Sequence, residues 1–169
     1  MSIKLVRCPS CNGLFPDITG PIHRYMESSP GCWAAAGEVF ARQYTHPTYA
    51  GLRRLAVDAY AVQHPGRPSL QSINSVALHL MSLCSIFEYG SDVSDATEML
   101  ATAGQKERFC RLVPPSSLGS LTVADVHLAG SAEEHEQLVQ AWAESAWLAW
   151  SAHHDTIRAW LAGSSFASG

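Results

Sequence analysis

The residues best suited to chemistry lie near the start of the chain, where three of its five cysteines are found. Cys8 and Cys11 form a Cys-x-x-Cys pair, and Cys32 follows after an intervening His23. Three thiolates and one imidazole can close a tetrahedral metal site, and this donor set is typical of structural zinc. The sequence therefore predicts a zinc site formed by Cys8, Cys11, His23 and Cys32.

The fourth ligand is the open part of this prediction. His23 is the nearest candidate in the sequence, but if its ring points into the protein, the position falls to His64, Asp17 or water. Four protein ligands make a structural site, whereas a water position makes a catalytic one possible. Isolated thiols and a redox Cys-x-x-Cys are the alternatives to metal binding. The redox interpretation is the weaker one, because the strand–helix context of such pairs is missing.

A second group of histidines lies in segments that are predicted to be helical. Each of them alone is best interpreted as a core histidine bonded to a carbonyl or carboxylate. Antiparallel helices can instead bring together His64, His79 and one of the pair His153 and His154, with Asp58 nearby. Such a cluster can hold a metal ion or perform general acid–base catalysis. The candidate catalytic residues are therefore His64, His79 and His154.

The remaining polar and aromatic candidates are weaker. His46, His127 and His135 fall at predicted loop or solvent positions, and we assign them no role. Arg158 can clamp an anionic ligand, although a surface ion pair is the favoured interpretation. Four tryptophans can line an aromatic pocket, although core packing fits their spacing better; they are Trp142, Trp147, Trp150 and Trp160.

Length and composition restrict the class of protein. The chain has 169 residues, 47% hydrophobic and 15% charged, which suits one folded domain and argues against disorder. Its net charge of −4 disfavours nucleic acid as a partner. No uninterrupted apolar run reaches the ~18 residues that span a bilayer, and MSIKLVRCPSC lacks a signal-peptide core. We therefore expect a cytoplasmic protein with reduced thiols and no membrane partner.

Apolar spacing and capping residues predict the first three helices. Ser29 caps a helix that begins at Pro30 and continues to about residue 44. Pro47 opens a second helix, which ends before the Pro-Gly of QHPG. Ser69 caps a third helix that extends to about residue 89 with a wide apolar face.

The second half of the chain predicts a further long helix. A short fourth helix is expected first, with Ser94 as its cap and Gly104 as its stop, and then a helical turn entered from Thr122. Ser131 and Glu134 form a capping box. From there to about Ala162 the chain contains neither proline nor glycine, so we predict one continuous central helix.

Together these elements predict an all-α fold, a bundle of four or five helices with an N-terminal metal-stapled loop. The chain is predicted to be one domain, 1–169, with a metal-binding loop at 1–29, a bundle at 30–162 and a tail at 163–169. A short strand is expected at Ile3–Val6. The loop has too few apolar side chains to fold alone, so the metal must hold it to the bundle.

Four segments, CPSC, HRYMESSPGCW, VDAYAVQHPG and HHDTIRAWL, make the chain resemble a bacterial family known only as a domain of unknown function, family 5946 of that class. The resemblance covers nearly the whole chain. It implies a small single-domain bacterial protein and assigns no activity. It also favours a joint role for the residues these segments carry, namely Cys8, Cys11, His23, Cys32 and His64.

Two functional hypotheses follow from the sequence. The first is a zinc-binding helical protein whose interior, lined by histidine and tryptophan, binds a small-molecule ligand or a protein partner. The second is a metal- or histidine-dependent enzyme of hydrolytic or biosynthetic chemistry that uses His64, His79 and His154. The oligomeric state is left open by both.

Overall fold

The computed structural model describes residues 3–103 and 109–163. These residues form a small hairpin followed by seven α-helices: β1 Leu5–Arg7, β2 Leu14–Pro16, α1 Pro30–Thr45, α2 Arg53–Gln63, α3 Leu70–Tyr89, α4 Val93–Ala103, α5 Val123–His127, α6 Ala132–Ala149 and α7 His154–Gly163. The predicted all-α class is confirmed. The predicted stop at Gly104 and residues 164–169 of the predicted tail lie outside the described residues.

The predicted N-terminal loop contains a two-stranded antiparallel hairpin. Val6 pairs with Phe15 in its centre, and Phe15 is buried in the core. The first turn of α1 packs directly on β2, since a Cβ added to Gly31 would lie 2.4 Å from the Pro16 carbonyl oxygen. Only glycine allows this approach, and it sets the hairpin against the start of the helical bundle.

Serine caps define the starts of α1, α3 and α6, as the sequence predicts. The Ser29 hydroxyl accepts a hydrogen bond from the backbone N–H of Cys32 at the start of α1. Ser69 caps α3 and Ser131 caps α6 in the same way. The predicted cap of the fourth helix is wrong, because Ser94 lies inside α4 and its backbone N–H donates to the Asp92 carboxylate at 2.6 Å. The second helix begins later than predicted, because Pro47–Tyr49 forms a separate 3₁₀ turn before α2 starts at Arg53.

The centre of the bundle is α2, which packs against α1, α3 and α6. Small residues at Ala56, Ala59 and Ala61 are buried and let neighbouring helices approach closely. Two indoles of the last helical region are anchored on the end of α2. Trp142 donates to the Gln63 side chain at 2.8 Å, and Trp150 donates to the Val62 carbonyl at 3.2 Å.

The predicted continuous helix over residues 131–162 is two helices. It breaks at Trp150, followed by a 3₁₀ turn, Ser151–His153, before α7. The Trp147 carbonyl accepts from the Trp150 backbone N–H at 3.1 Å and from the His154 ring at 3.0 Å. Burial of the Trp150 ring and its bond to α2 therefore redirect the chain without proline or glycine, since tertiary packing overrides local propensity.

One helix passes the length and composition test for a membrane span. It is α3, Leu70–Tyr89, with a mean hydropathy of 1.3 over its most apolar window and half of that window buried inside the fold. Core helices of folded domains meet the same criterion, so the finding is weak support for a membrane segment. Its buried face, which includes Leu80, Met81 and Leu83, belongs to the protein core.

Replacement of Gly66 tests how the loop after α2 is held against the N-terminal segment. Gly66 has a φ of +60°, and an added Cβ would lie 2.0 Å from the Tyr25 carbonyl oxygen. We expect Gly66→Ala to lower the free energy of unfolding by about 2 kcal/mol or more, because backbone strain and a clash add up. Urea denaturation measures this change.

The matched control is Gly37→Ala. An added Cβ at Gly37 in α1 meets no atom within 4 Å, so alanine should stabilise the helix by about 0.5–1 kcal/mol. Equal effects of the two substitutions would contradict the close packing of Gly66 on Tyr25.

Candidate metal centre

Cys8 and Cys11 lie in the tight turn that joins the two strands. The Cys8 backbone N–H donates to the Gly13 carbonyl at 2.9 Å, and the Asn12 N–H donates back to the Cys8 carbonyl at 3.1 Å. Asn12 adopts a left-handed conformation with a φ of 62°, which asparagine tolerates better than most residues. The turn directs both thiols into the protein, where both are buried.

Cys32 supplies the third sulfur from the first turn of α1. Its backbone N–H is bound by the Ser29 cap at 3.2 Å, and its side chain is fully buried. The positive end of the helix dipole lies at this turn and favours a thiolate there. The Tyr60 hydroxyl lies 3.6 Å from the Cys32 sulfur and can donate to it.

The fourth donor is His64, at the C-terminal end of α2. Its Nδ1 lies 2.6 Å from the Tyr60 carbonyl oxygen. Since a carbonyl only accepts, Nδ1 carries the proton and Nε2 keeps a free lone pair. The Tyr60 ring stacks on the imidazole with centroids 3.9 Å apart, which fixes its orientation. Metal-binding histidines are commonly oriented by such a bond from the other ring nitrogen.

The four donor atoms have the dimensions of a tetrahedral metal site. His64 Nε2 lies 3.6 Å from Cys8 Sγ and 3.4 Å from Cys32 Sγ, and Cys11 Sγ lies 3.9 Å from Cys32 Sγ. All four donors fall within 4.8 Å of one another. Ligands at about 2.3 Å (sulfur) and 2.0 Å (nitrogen) from a tetrahedral ion are roughly 3.5–3.8 Å apart. The cluster can therefore hold a metal ion with little rearrangement.

Without a cation, the three thiols oppose one another's ionisation. Hydrogen bonds from Cys11 and Cys32 hold the pKa of Cys8 far below its ordinary value, despite burial. A hydrogen bond with Cys32 lowers the pKa of Cys11, but its bond with Cys8, burial and the Cys8 charge outweigh this and raise that pKa to about 12. Hydrogen bonds with Cys11 and Cys8, together with burial, raise the pKa of Cys32 strongly. Without a metal ion, the protein thus favours one thiolate among the three cysteines. A bound divalent cation would favour three thiolates.

The structure places His23 outside this cluster, which corrects the predicted ligand set at its fourth position. The His23 ring contacts Tyr25 and Trp33 edge-on, with centroids 4.5 and 5.1 Å apart. Asp17, an alternative in the sequence, forms an exposed ion pair with Lys4 at 2.6 Å. Nearness in sequence favoured His23, whereas packing of α2 against α1 brings His64 to the sulfurs.

The three candidate catalytic histidines each have their own partners. His64 faces the sulfurs, as described above. The His154 ring stacks on Trp147 with centroids 3.7 Å apart, and its Nδ1 lies 3.7 Å from Glu88. His79 Nδ1 donates to Asp58 at 2.6 Å. These separate contacts do not support the predicted grouping of His64, His79 and His154 around one reacting centre.

Asp58 organises a polar network between α2 and α3. Its carboxylate is fully buried and accepts from Arg54 Nη2 at 2.7 Å, from His79 and from the Ser82 hydroxyl at 2.6 Å. An oriented Asp–His pair can support acid–base chemistry. Here the carboxylate is also bound by Arg54 and Ser82, which fits a structural ion-pair network.

His135 has a structural role that the sequence prediction missed. Predicted to be exposed and without function, it is fully buried. Its Nε2 lies 3.1 Å from the Gln43 amide and its Nδ1 3.3 Å from Arg42, and its ring contacts Tyr49. Burial and the Arg42 charge lower its pKa, so the imidazole is neutral near pH 7. The charged sequence around His135, AEEHEQ, gives no sign of these contacts with α1 and the Pro47–Tyr49 turn.

The tryptophans that could line an interior site are packed into the helical bundle. Trp142, Trp147 and Trp150 are buried, and their indoles or ring faces are occupied by the contacts already described. Arg158 forms ion pairs with Glu88 and Asp155, in agreement with the favoured surface interpretation.

The match to a known family extends over most of the chain. The profile of the family of unknown function DUF5946 matches residues 6–151, so the chain belongs to this family. The match includes all four donors of the cluster. No curated protein and no solved structure matches the chain.

Replacement of each candidate histidine in turn distinguishes the ligand set seen in the structure, with His64, from the one predicted from the sequence, with His23. We expect His64→Ala to weaken metal binding by at least about 100-fold, because it removes a first-sphere donor. His23→Ala should leave the affinity unchanged. Competition of the purified protein with a chromophoric zinc chelator measures both affinities.

His64→Cys is the control for misfolding of the alanine variant. Because cysteine restores a metal donor at this position, this variant should retain the metal. Strong metal loss in His23→Ala, with normal binding by His64→Ala, would reverse the assignment.

The Asp58 network makes a separate stability prediction. Asp58→Ala leaves Arg54 and His79 without their shared anion in a buried setting, so the free energy of unfolding should fall by about 3–5 kcal/mol. Asp17→Ala, which removes an exposed partner of Lys4, should cost at most about 1 kcal/mol. Urea denaturation compares the two, and similar losses would contradict a structural role for the network.

Proposed function

We propose that the protein is a zinc-binding helical protein in which one structural zinc ion fastens the N-terminal hairpin to the bundle. The single observation that carries this proposal is the convergence of four buried donors from three separate elements: Cys8 and Cys11 from the hairpin turn, Cys32 from α1 and His64 from α2.

The donor set supports zinc over other biological metals. Thiolates and imidazole are the ligands of structural zinc, whereas magnesium and calcium require oxygen donors. Iron–sulfur clusters are most often held by four cysteines, and the fourth donor here is an imidazole. The distances of 3.4–3.9 Å between neighbouring donors fit a single tetrahedral ion.

The enclosure of the site supports a structural role for the ion. All four donors are 5% exposed or less, and four protein ligands satisfy a tetrahedral zinc without a water position. A catalytic zinc keeps one coordination position open for water or substrate.

The architecture supplies a reason for the ion. Before α1 the chain has two strands of three residues each and few buried apolar side chains, among them Phe15 and Met26. Apolar burial alone gives such a segment little stability. Binding of a structural zinc contributes roughly 10 kcal/mol or more to folding, which is sufficient to hold the hairpin in place.

Metal analysis tests the proposal directly. Protein purified without a histidine tag should contain one zinc per chain by mass spectrometric metal analysis. Cys8→Ser should lose the ion and a large part of the roughly 10 kcal/mol that it contributes, measured as a lower urea midpoint. Removal of the ion from the wild type by a strong chelator should give the same shift.

Cys110→Ser is the control, because Cys110 is an exposed free thiol outside the cluster. It should keep both zinc and stability. A wild-type protein without zinc, or equal stability of Cys8→Ser and Cys110→Ser, would refute the structural-zinc function.

A further inference from the structure

A concave groove lies beside the metal centre and uses none of its ligands. Its two walls are residues 22–27, which precede α1, and the turn from Gly66 to Ser69 with Gln71, which leads into α3. Its volume is about 460 Å³, within the range of small-molecule sites.

Two of the residues that line the groove are arginines. Arg24 lies on one wall and Arg67 on the other. Within residues 3–103 and 109–163, neither guanidinium has an ion-pair or hydrogen-bond partner. By contrast, Arg54 and Arg158 are engaged by carboxylates. In a chain with a net charge of −4, two unpaired arginines facing one concavity form a local anion-attracting site.

The remaining lining adds an aromatic surface and one opposing charge. His23 and Tyr25 line the groove and contact each other with ring centroids 4.5 Å apart. Rings of this kind provide flat apolar surface for the organic part of a ligand. Glu27 is the one carboxylate among the lining residues, and it lowers the attraction for an anion.

The backbone of both walls is fixed before any ligand arrives. The Ser10 hydroxyl donates to the Glu27 carbonyl at 2.7 Å, and the Ser72 hydroxyl donates to the Arg67 carbonyl at 2.6 Å. Gly66 packs against the Tyr25 carbonyl and joins one wall to the other. A prearranged site spends little of its binding free energy on ordering the chain.

We propose that this groove binds a small molecule that carries a phosphate group. Arg24 and Arg67 are the anion-binding residues, since guanidinium groups pair with phosphate oxygens through two parallel hydrogen bonds. His23 and Tyr25 contact the organic part of the ligand. The assignment goes beyond the structural zinc, because it gives the protein a ligand that the metal centre does not contact.

Calorimetric titration of the metal-loaded full chain tests the groove with two probes, inorganic phosphate and phenyl phosphate. Both should bind saturably, and phenyl phosphate should bind more tightly because its ring meets His23 and Tyr25. Arg24→Gln and Arg67→Gln should each weaken phenyl phosphate by at least about tenfold. Glu27→Gln should strengthen it by up to about fivefold, since it removes a like charge.

Arg53→Gln is the matched control. It removes the same charge from a residue that lies over the Tyr44 ring, away from the groove, so binding should not change. Zinc content and unfolding midpoint should stay at wild-type values in both groove variants, which separates this proposal from the proposed function.

Three outcomes would overturn the groove assignment. They are the absence of saturable binding of both probes, an Arg53→Gln variant weakened as much as the groove variants, and undiminished binding by a variant that lacks both Arg24 and Arg67. None of these outcomes bears on the zinc content of the chain.

Discussion

The packing of three sulfurs and one imidazole in a buried space is the constraint on which the rest of the structure depends. Thiols this close repel as thiolates, and burial adds to the cost of each charge. A divalent cation turns this mutual opposition into attraction. With the proposed ion bound, the hairpin turn, the first turn of α1 and the end of α2 would stay together, because one ion would satisfy all of them.

α2 connects this centre to the hydrophobic core. Its last residue, Gln63, and the C-cap that follows, His64, face in two directions. The His64 ring faces the sulfurs, whereas the Gln63 amide donates to two carbonyls of the 118–121 loop and accepts from the Trp142 indole. Earlier in the same helix, Asp58 fixes α3 through His79 and Ser82. A shift of α2 would therefore disturb the metal centre and the core together.

Local signals in the sequence predicted the starts of α1, α3 and α6, because a cap is a contact between residues three positions apart. Ser29, Ser69 and Ser131 are the caps, as predicted. The predicted capping box at Ser131 is incomplete, because the Glu134 carboxylate accepts from the Gly130 backbone N–H instead. The Cys-x-x-Cys spacing is likewise a local signal, because both cysteines lie in the same tight turn. These features need no knowledge of the rest of the chain, and the all-α class follows from them together with the apolar periodicity.

Features that depend on tertiary contacts were harder to predict. The choice of His64 over His23 is set by how α2 meets α1, which no local pattern encodes. A usable signal was present, since a histidine four residues after Tyr60 at a helix end before Pro-Gly can bond to the Tyr60 carbonyl and aim its other nitrogen outward. The break at Trp150 and the burial of His135 likewise arise from partners that are distant in sequence.

The metal centre and the groove share their supports, which has a thermodynamic consequence. One wall of the groove begins at Gly66, two residues after His64, and the other runs toward Cys32 through Ser29. A metal ion that fixes His64 and Cys32 thereby fixes the ends of both walls. By linkage, the amount by which the ion strengthens the binding of a groove ligand equals the amount by which that ligand strengthens the binding of the ion, when both are expressed as free energies. The zinc of the proposed function would then order a binding surface as well as hold a hairpin, which gives a structural metal a part in ligand recognition without any contact between the two.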